Sequence, residues 1–126
     1  MSGKRTEPLR SALSIQRAAA REGFDWRHLR ELWSKLAEEI GELQSARTRA
    51  QRRDELGDLL FMLVNLARHL EVDPTRALQG ANRKFLRRYA FIRRHADTLP
   101  PLGDRRRLAA MEALWQQAKQ RERRTR

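Results

Sequence analysis

Two acidic clusters carry the residues best suited to chemistry: Glu38-Glu39-Ile40-Gly41-Glu42 and, a short segment later, Glu55-Leu56-Gly57-Asp58. Spacings of three and four put the carboxylates of each cluster on one helical face, and the surrounding apolar pattern predicts their burial. Buried like charges repel one another. For an oxygen-only cluster the natural relief is a hard divalent cation, Mg²⁺ or in its place Mn²⁺. Glu39 and Glu42 on one helix and Glu55 and Asp58 on the next could offer four oxygen ligands to one space, with Glu38 as a fifth member. Mg²⁺ keeps several waters, so such a cage leaves room for phosphate oxygens and an attacking water, as a catalytic site requires. Exposed glutamates at these spacings often do no more than pair with lysine or arginine. The weight therefore falls on Asp58, which lies one turn from Glu55 and directly precedes the most apolar stretch, Leu59 to Leu70. Asn65 continues the same face, either as a satisfied core amide or as a contact to substrate.

The elements that must hold these groups read as helices throughout, because no run of alternating β-branched residues occurs. A first helix is expected over Leu9 to Arg21, ended by Gly23, with Asp25 as the N-cap of a long second helix. Leu29, Leu32, Leu36, Ile40 and Leu43 give that second helix an apolar stripe. The polar, basic segment Arg47 to Arg53 reads as a turn. A third helix from about Asp54 to Leu70 is apolar around most of its circumference, as the central helix of a bundle would be. Asp73-Pro74 starts a fourth helix that runs to about His95. Pro100, Pro101 and Gly103 break the chain, and Asp104 caps a last helix from Arg105 to about Gln120. The expected fold is an all-α bundle of four to five helices, with flexible basic termini over residues 1–8 and 121–126.

A chain of 126 residues suits one domain, and 40% apolar with 35% charged residues suits a folded one. The absence of cysteine excludes disulfides, thiolate metal sites and thiol catalysis. No signal peptide or span of roughly 20 apolar residues is evident, so a soluble cytoplasmic protein is expected. The net charge of +12 is uneven: residues 1–63 hold 12 basic and 10 acidic groups, and residues 64–126 hold 16 and 6. A surplus concentrated in the second half suits a polyphosphate, an anionic surface or nucleic acid.

The stretch from Leu36 to Ile92 closely resembles the MazG nucleoside triphosphate pyrophosphohydrolases. It contains Glu-Glu-Ile-Gly-Glu, then Asp-Glu-Leu-Gly-Asp-Leu-Leu-Phe-Met-Leu-Val-Asn-Leu-Ala-Arg-His-Leu, then Ala-Asn-Arg-Lys-Phe-Leu-Arg-Arg-Tyr. Gly23-Phe24-Asp25-Trp26 before it and Leu114-Trp115-Gln116-Gln117-Ala118-Lys119 after it are similar to the same family. The resemblance implies an all-α NTP pyrophosphatase fold, of the single-domain branch, that cleaves a nucleoside triphosphate between its α and β phosphates with Mg²⁺. It makes Glu39, Glu42, Glu55 and Asp58 the metal ligands and Glu38 a further member of the acidic motif. Which of Glu38, Glu39 and Glu42 serves as base stays open. It also places Lys84 and Arg88 on the phosphates, and Trp115 and Lys119 against the nucleoside and its phosphates. Apolar surface left over on the third and fourth helices leads us to expect a homodimer. The rival expectation is a basic helical module that binds nucleic acid or another partner. No helix-turn-helix or other reader motif supports it, and it leaves the acidic cluster without a purpose.

Overall fold

The computed structural model describes residues 7–125, and these form five α-helices and one 3₁₀ turn, with no strand among them. The helices are α1 (Pro8–Arg21), α2 (Leu29–Ser45), α3 (Arg49–His69), α4 (Pro74–Arg94) and α5 (Arg106–Arg124). The all-α expectation holds. Contacts divide the chain into two compact units, Met1–Ala77 and Leu78–Arg126.

In the first unit, Glu7 opens α1 by accepting the Leu9 and Arg10 N–H groups at 2.9 and 3.2 Å, and Pro8 fills the first helical position, where no donor is needed. Gly23 closes α1 at φ +92°, while its own N–H and that of Phe24 reach back to the Ala20 and Ala19 carbonyls, both at 3.0 Å. This is a Schellman ending, which needs a residue in the left-handed region, and glycine enters it without strain. The same ending closes α3, where Glu71 takes that place at φ 59° and its N–H and that of Val72 bond to Arg68 and Ala67.

Two boundaries differ from the sequence reading. Asp25 does not cap α2, which begins at Leu29 with the Glu31 carboxylate accepting the His28 N–H at 2.9 Å. Helix α3 begins at Arg49, because Thr48 and Gln51 form a reciprocal capping box: Thr48 Oγ1 accepts from Gln51 N at 3.1 Å, and Gln51 Oε1 accepts from Thr48 N at 3.2 Å. The basic segment expected as a turn is therefore mostly helix, and only residues 46–48 separate α2 from α3. So short a link makes an antiparallel hairpin of the two.

That hairpin encloses Leu32, Leu36 and Met62, against which Trp26, Leu29, Leu59 and Leu66 pack, while α1 lies against α3. The core takes one stripe of α3 and leaves the rest: Leu56, Leu60, Phe61 and Leu63 remain 41–50% exposed. Within this chain α3 is thus not wrapped on all sides, as a central helix would be.

The second unit is built from α4, beginning at Leu78 within it, and α5. Phe91, Ile92, Leu114 and Ala118 form its core, with Leu99, Met111 and Trp115 packed against it. Asp73 caps α4 by accepting the Thr75 N–H at 2.9 Å, and Asp104 accepts the Arg106 N–H at 2.8 Å at the start of α5. Helix α5 continues to Arg124, beyond the expected end at Gln120, and Glu122 within that extension binds Arg87 and Arg88. The segment expected to be a flexible C-terminal tail is helical through Arg124, and residues 1–6 and 126 lie outside the described residues.

Candidate active site

The α2–α3 hairpin brings Glu39, Glu42 and Glu55 together: one carboxylate oxygen from each lies within 4.8 Å of the others. Glu39 is buried at 6% exposure, Glu55 is half-buried and Glu42 is exposed. Two of the oxygens, Glu39 Oε2 and Glu55 Oε2, are buried with no hydrogen-bond partner. Desolvation first, then the charge of Glu42, with Asp58 and Glu39 behind it, pushes the Glu55 carboxyl above its ordinary pKa. The group is thus an unrelieved set of acceptors. Three carboxylates without nitrogen or sulfur, two of them with orphaned oxygens, fit a hard divalent cation.

Burial of all five acids, expected from the apolar pattern, is not what the fold produces. Glu38 and Asp58 are exposed, as is Glu42. Asp58 stands outside the group of three, although its charge is felt at Glu55. Glu38 is tied to Lys35, whose Nζ lies 3.3 Å from both Glu38 Oε1 and Glu39 Oε1. Lys35 therefore fixes Oε1 of Glu39 and leaves Oε2 buried and unpartnered. The sequence reading passed over this lysine, although its spacing of four from Glu39 is the signal that finds it.

Sequence comparison now bears on this geometry: the profile of the MazG nucleotide pyrophosphohydrolase domain matches residues 27–92, which include all five acids, Asn65, Lys84 and Arg88. The chain belongs to the MazG family. It is 45% identical over 86 residues to the nucleoside triphosphate pyrophosphohydrolase/pyrophosphatase MazG of Thermotoga maritima, covering 65% of this chain and 34% of that protein. To the nucleoside triphosphate pyrophosphohydrolase of Escherichia coli K12 it is 42% identical over 121 residues, 90% of this chain and 45% of that protein. The chain thus spans less than half the length of these curated relatives.

Within this MazG domain Asn65 is buried, and its Oδ1 accepts from Arg68 Nη2 at 2.9 Å while Nδ2 meets only the Met62 sulfur at 3.7 Å. Arg68 also donates to Gln16 and binds Asp25 through both terminal nitrogens at 3.0 and 2.7 Å, and His69 Nε2 lies 3.0 Å from Asp25. The Arg68 guanidinium is the main reason the Asp25 carboxyl is held far below the usual carboxylate range. Asp25 therefore pins the α1–α2 connection to α3, a role with no local signature because its partners lie 43 and 44 residues away. Beside this network Ile15, Phe24, Trp26 and Phe61 wall a cavity of about 440 Å³ that Asn65 also lines.

The carboxylates belong to the first unit, and Lys84, Arg88, Trp115 and Lys119 to the second. Lys84 is exposed and Lys119 half-buried, and neither has a carboxylate within ion-pair distance among the described residues. Arg88 is committed: its Nη2 binds Glu122 Oε2 at 3.0 Å, and its guanidinium sits 5.2 Å from the Trp115 ring centroid. Trp115 packs on the second core and lies 5.6 Å from Phe85, so its ring has a structural place whatever else it meets. No helix of the described residues is long and apolar enough to cross a membrane.

Proposed function

We propose that the chain hydrolyses nucleoside triphosphates to the nucleoside monophosphate and pyrophosphate, with Mg²⁺ held by Glu39, Glu42, Glu55 and Asp58. The observation that carries this reading is the pair of buried, unpartnered oxygens on Glu39 and Glu55 within a three-carboxylate group. Family membership and the names of the relatives supply the substrate class. When bound, the cation would polarise phosphate oxygens and lower the pKa of a water.

The chain's own residues supply the rest. Glu39, fixed by Lys35, and Glu55 would hold the cation that places the triphosphate. One of Glu38, Glu39 and Glu42 takes the proton of the attacking water as the anhydride bond between the α and β phosphates breaks and pyrophosphate departs with its electron pair. Glu42 and Glu38 are the exposed members and so the ones open to solvent for that transfer. Lys84, Lys119 and Arg88 balance charge on phosphate oxygens. Arg88 must loosen its hold on Glu122 to do so, which makes the lysines the stronger contributors. Trp115 offers a π face to the nucleoside, and Asn65 reaches substrate only through the cavity it lines.

The exposed apolar side chains of α3, with Leu78, Phe85 and Leu86 on α4, support a homodimer. The deciding experiment incubates the pure protein with each common nucleoside triphosphate and Mg²⁺ and assays pyrophosphate and monophosphate. Pyrophosphate release that disappears in Glu39→Gln, Asp58→Asn is expected. Absence of product with every nucleotide, or equal product from that double variant, overturns the reading.

A further inference from the structure

The second unit contains an arginine-lined cleft that the proposed reaction leaves unused. Arg87, Phe91 and Arg94 of α4 line, with Arg121 and Glu122 of α5 and its C-cap Thr125, a volume of about 210 Å³. Phe91 is buried, and two guanidiniums lie over its ring, Arg121 at 5.2 Å and Arg94 at 5.9 Å from the centroid. Neither has a carboxylate within ion-pair distance among the described residues. The acid in the cleft, Glu122, is already engaged by Arg87 at 3.0 Å and Arg88 at 3.0 Å. Its carboxyl is accordingly drawn down to about 2, with the Arg88 hydrogen bonds the largest cause.

Two positive forks are thus gathered at one ring, and the acid in the cleft is engaged by other arginines. Contact with a buried ring limits their motion, which lowers the entropy lost when a ligand is gripped. Guanidinium N–H pairs match the spacing of phosphate oxygens. We propose that this cleft binds a diphosphate group, with Arg94 and Arg121 as its principal donors and Arg87 as a third that Glu122 holds in reserve. A free diphosphate fits better than a nucleic-acid backbone. The cleft holds about 210 Å³, and Arg94 and Arg121 gather at a single ring, Phe91, rather than along the line a phosphodiester chain would follow. The site stands on these residues alone and does not require the proposed activity.

The test is calorimetric titration of the full chain with inorganic pyrophosphate in EDTA, which keeps divalent cations out of the carboxylate cluster, with a single-stranded oligonucleotide as the second arm. Arg94→Gln, Arg121→Gln should weaken pyrophosphate binding at least about tenfold, the loss expected when two charge-assisted contacts go. Arg121→Lys, which keeps the charge and loses the fork, should weaken it several-fold. Glu122→Gln should tighten it by freeing Arg87. If the two arginines serve only to pack on Phe91 and to favour helix ends, the double variant will melt at a lower temperature yet bind as before, and the proposal fails. It also fails if the unaltered chain gives no heat up to millimolar pyrophosphate, or binds only the oligonucleotide. Should the double variant not fold, the opposite shifts of Arg121→Lys and Glu122→Gln still decide the question.

Discussion

The two units handle charge in opposite ways. On the α2–α3 hairpin three carboxylates crowd together with buried oxygens unpartnered, and Glu55 is pushed toward its protonated form. Between α4 and α5 the acid is oversupplied with partners, since Glu122 has two arginines and sits far toward its ionised form. The second arrangement is complete in the folded chain. The first is not, for folding brings like charges together with only Lys35 beside them. Repulsion of this kind persists where the missing partner is a ligand, which is why the hairpin reads as a site and the Glu122 cluster as a brace.

That contrast can be broken most decisively by removing the hairpin's charge. Glu39→Gln, Asp58→Asn should lower pyrophosphate release by at least ~100-fold, roughly the loss of about 3 kcal/mol of transition-state stabilisation. Glu122→Gln, which alters the brace, should leave a measurable rate. Next in size is the core that positions the hairpin. Leu32 is fully buried, and Leu32→Ala should cost about 3 kcal/mol in chemical denaturation.

A third prediction reverses the usual sign. Glu55→Gln should raise the melting temperature of the metal-free protein, because it removes a carboxylate that burial and its neighbours destabilise. The same variant should lose the stabilisation that Mg²⁺ confers on the parent chain. Equal Mg²⁺ shifts in both proteins would show that the cluster holds no metal.

The pH dependence separates the regions too. Glu55 has a folded pKa above its unfolded value, so it costs stability at neutral pH, and that cost disappears as pH falls through the raised pKa. Glu122, at about 2, and Asp25, lower still, act the other way. Their contribution is full above the ordinary carboxylate range and is lost as pH falls toward their folded values. Metal-free melting temperatures should therefore rise modestly as pH falls from neutrality through the raised pKa of Glu55, and fall steeply below about 4, the ordinary carboxylate range. A monotonic fall from pH 7 would contradict the assignment at Glu55. The smallest effect expected is at the α3 ending, where Glu71→Gly should stabilise by up to about 1 kcal/mol by relieving a left-handed non-glycine residue.

What the sequence determined by itself was local. The apolar stripe of α2, the Asp73-Pro74 and Asp104 starts and the Gly23 stop are settled within a turn of the residues concerned, so they could be read directly. The one-turn spacing of Glu39 and Glu42 belongs to this class as well, whereas only the α2–α3 hairpin brings Glu55 to them. The α3 start was equally local but was missed, because the basic composition of residues 47–53 obscured the Thr48 and Gln51 capping box. Tertiary structure alone decided the rest. Spacing places Glu38 and Glu39 side by side, but only the packing of α3 against α2 buries one and leaves the other to solvent. Asp25 looked like a cap until Arg68 and His69, distant in the chain, arrived beside it. Arg88 looked like a free cation until Glu122 did the same. Charge on a helix is a property of the sequence, whereas its partner and its solvent are set by whatever folds against it.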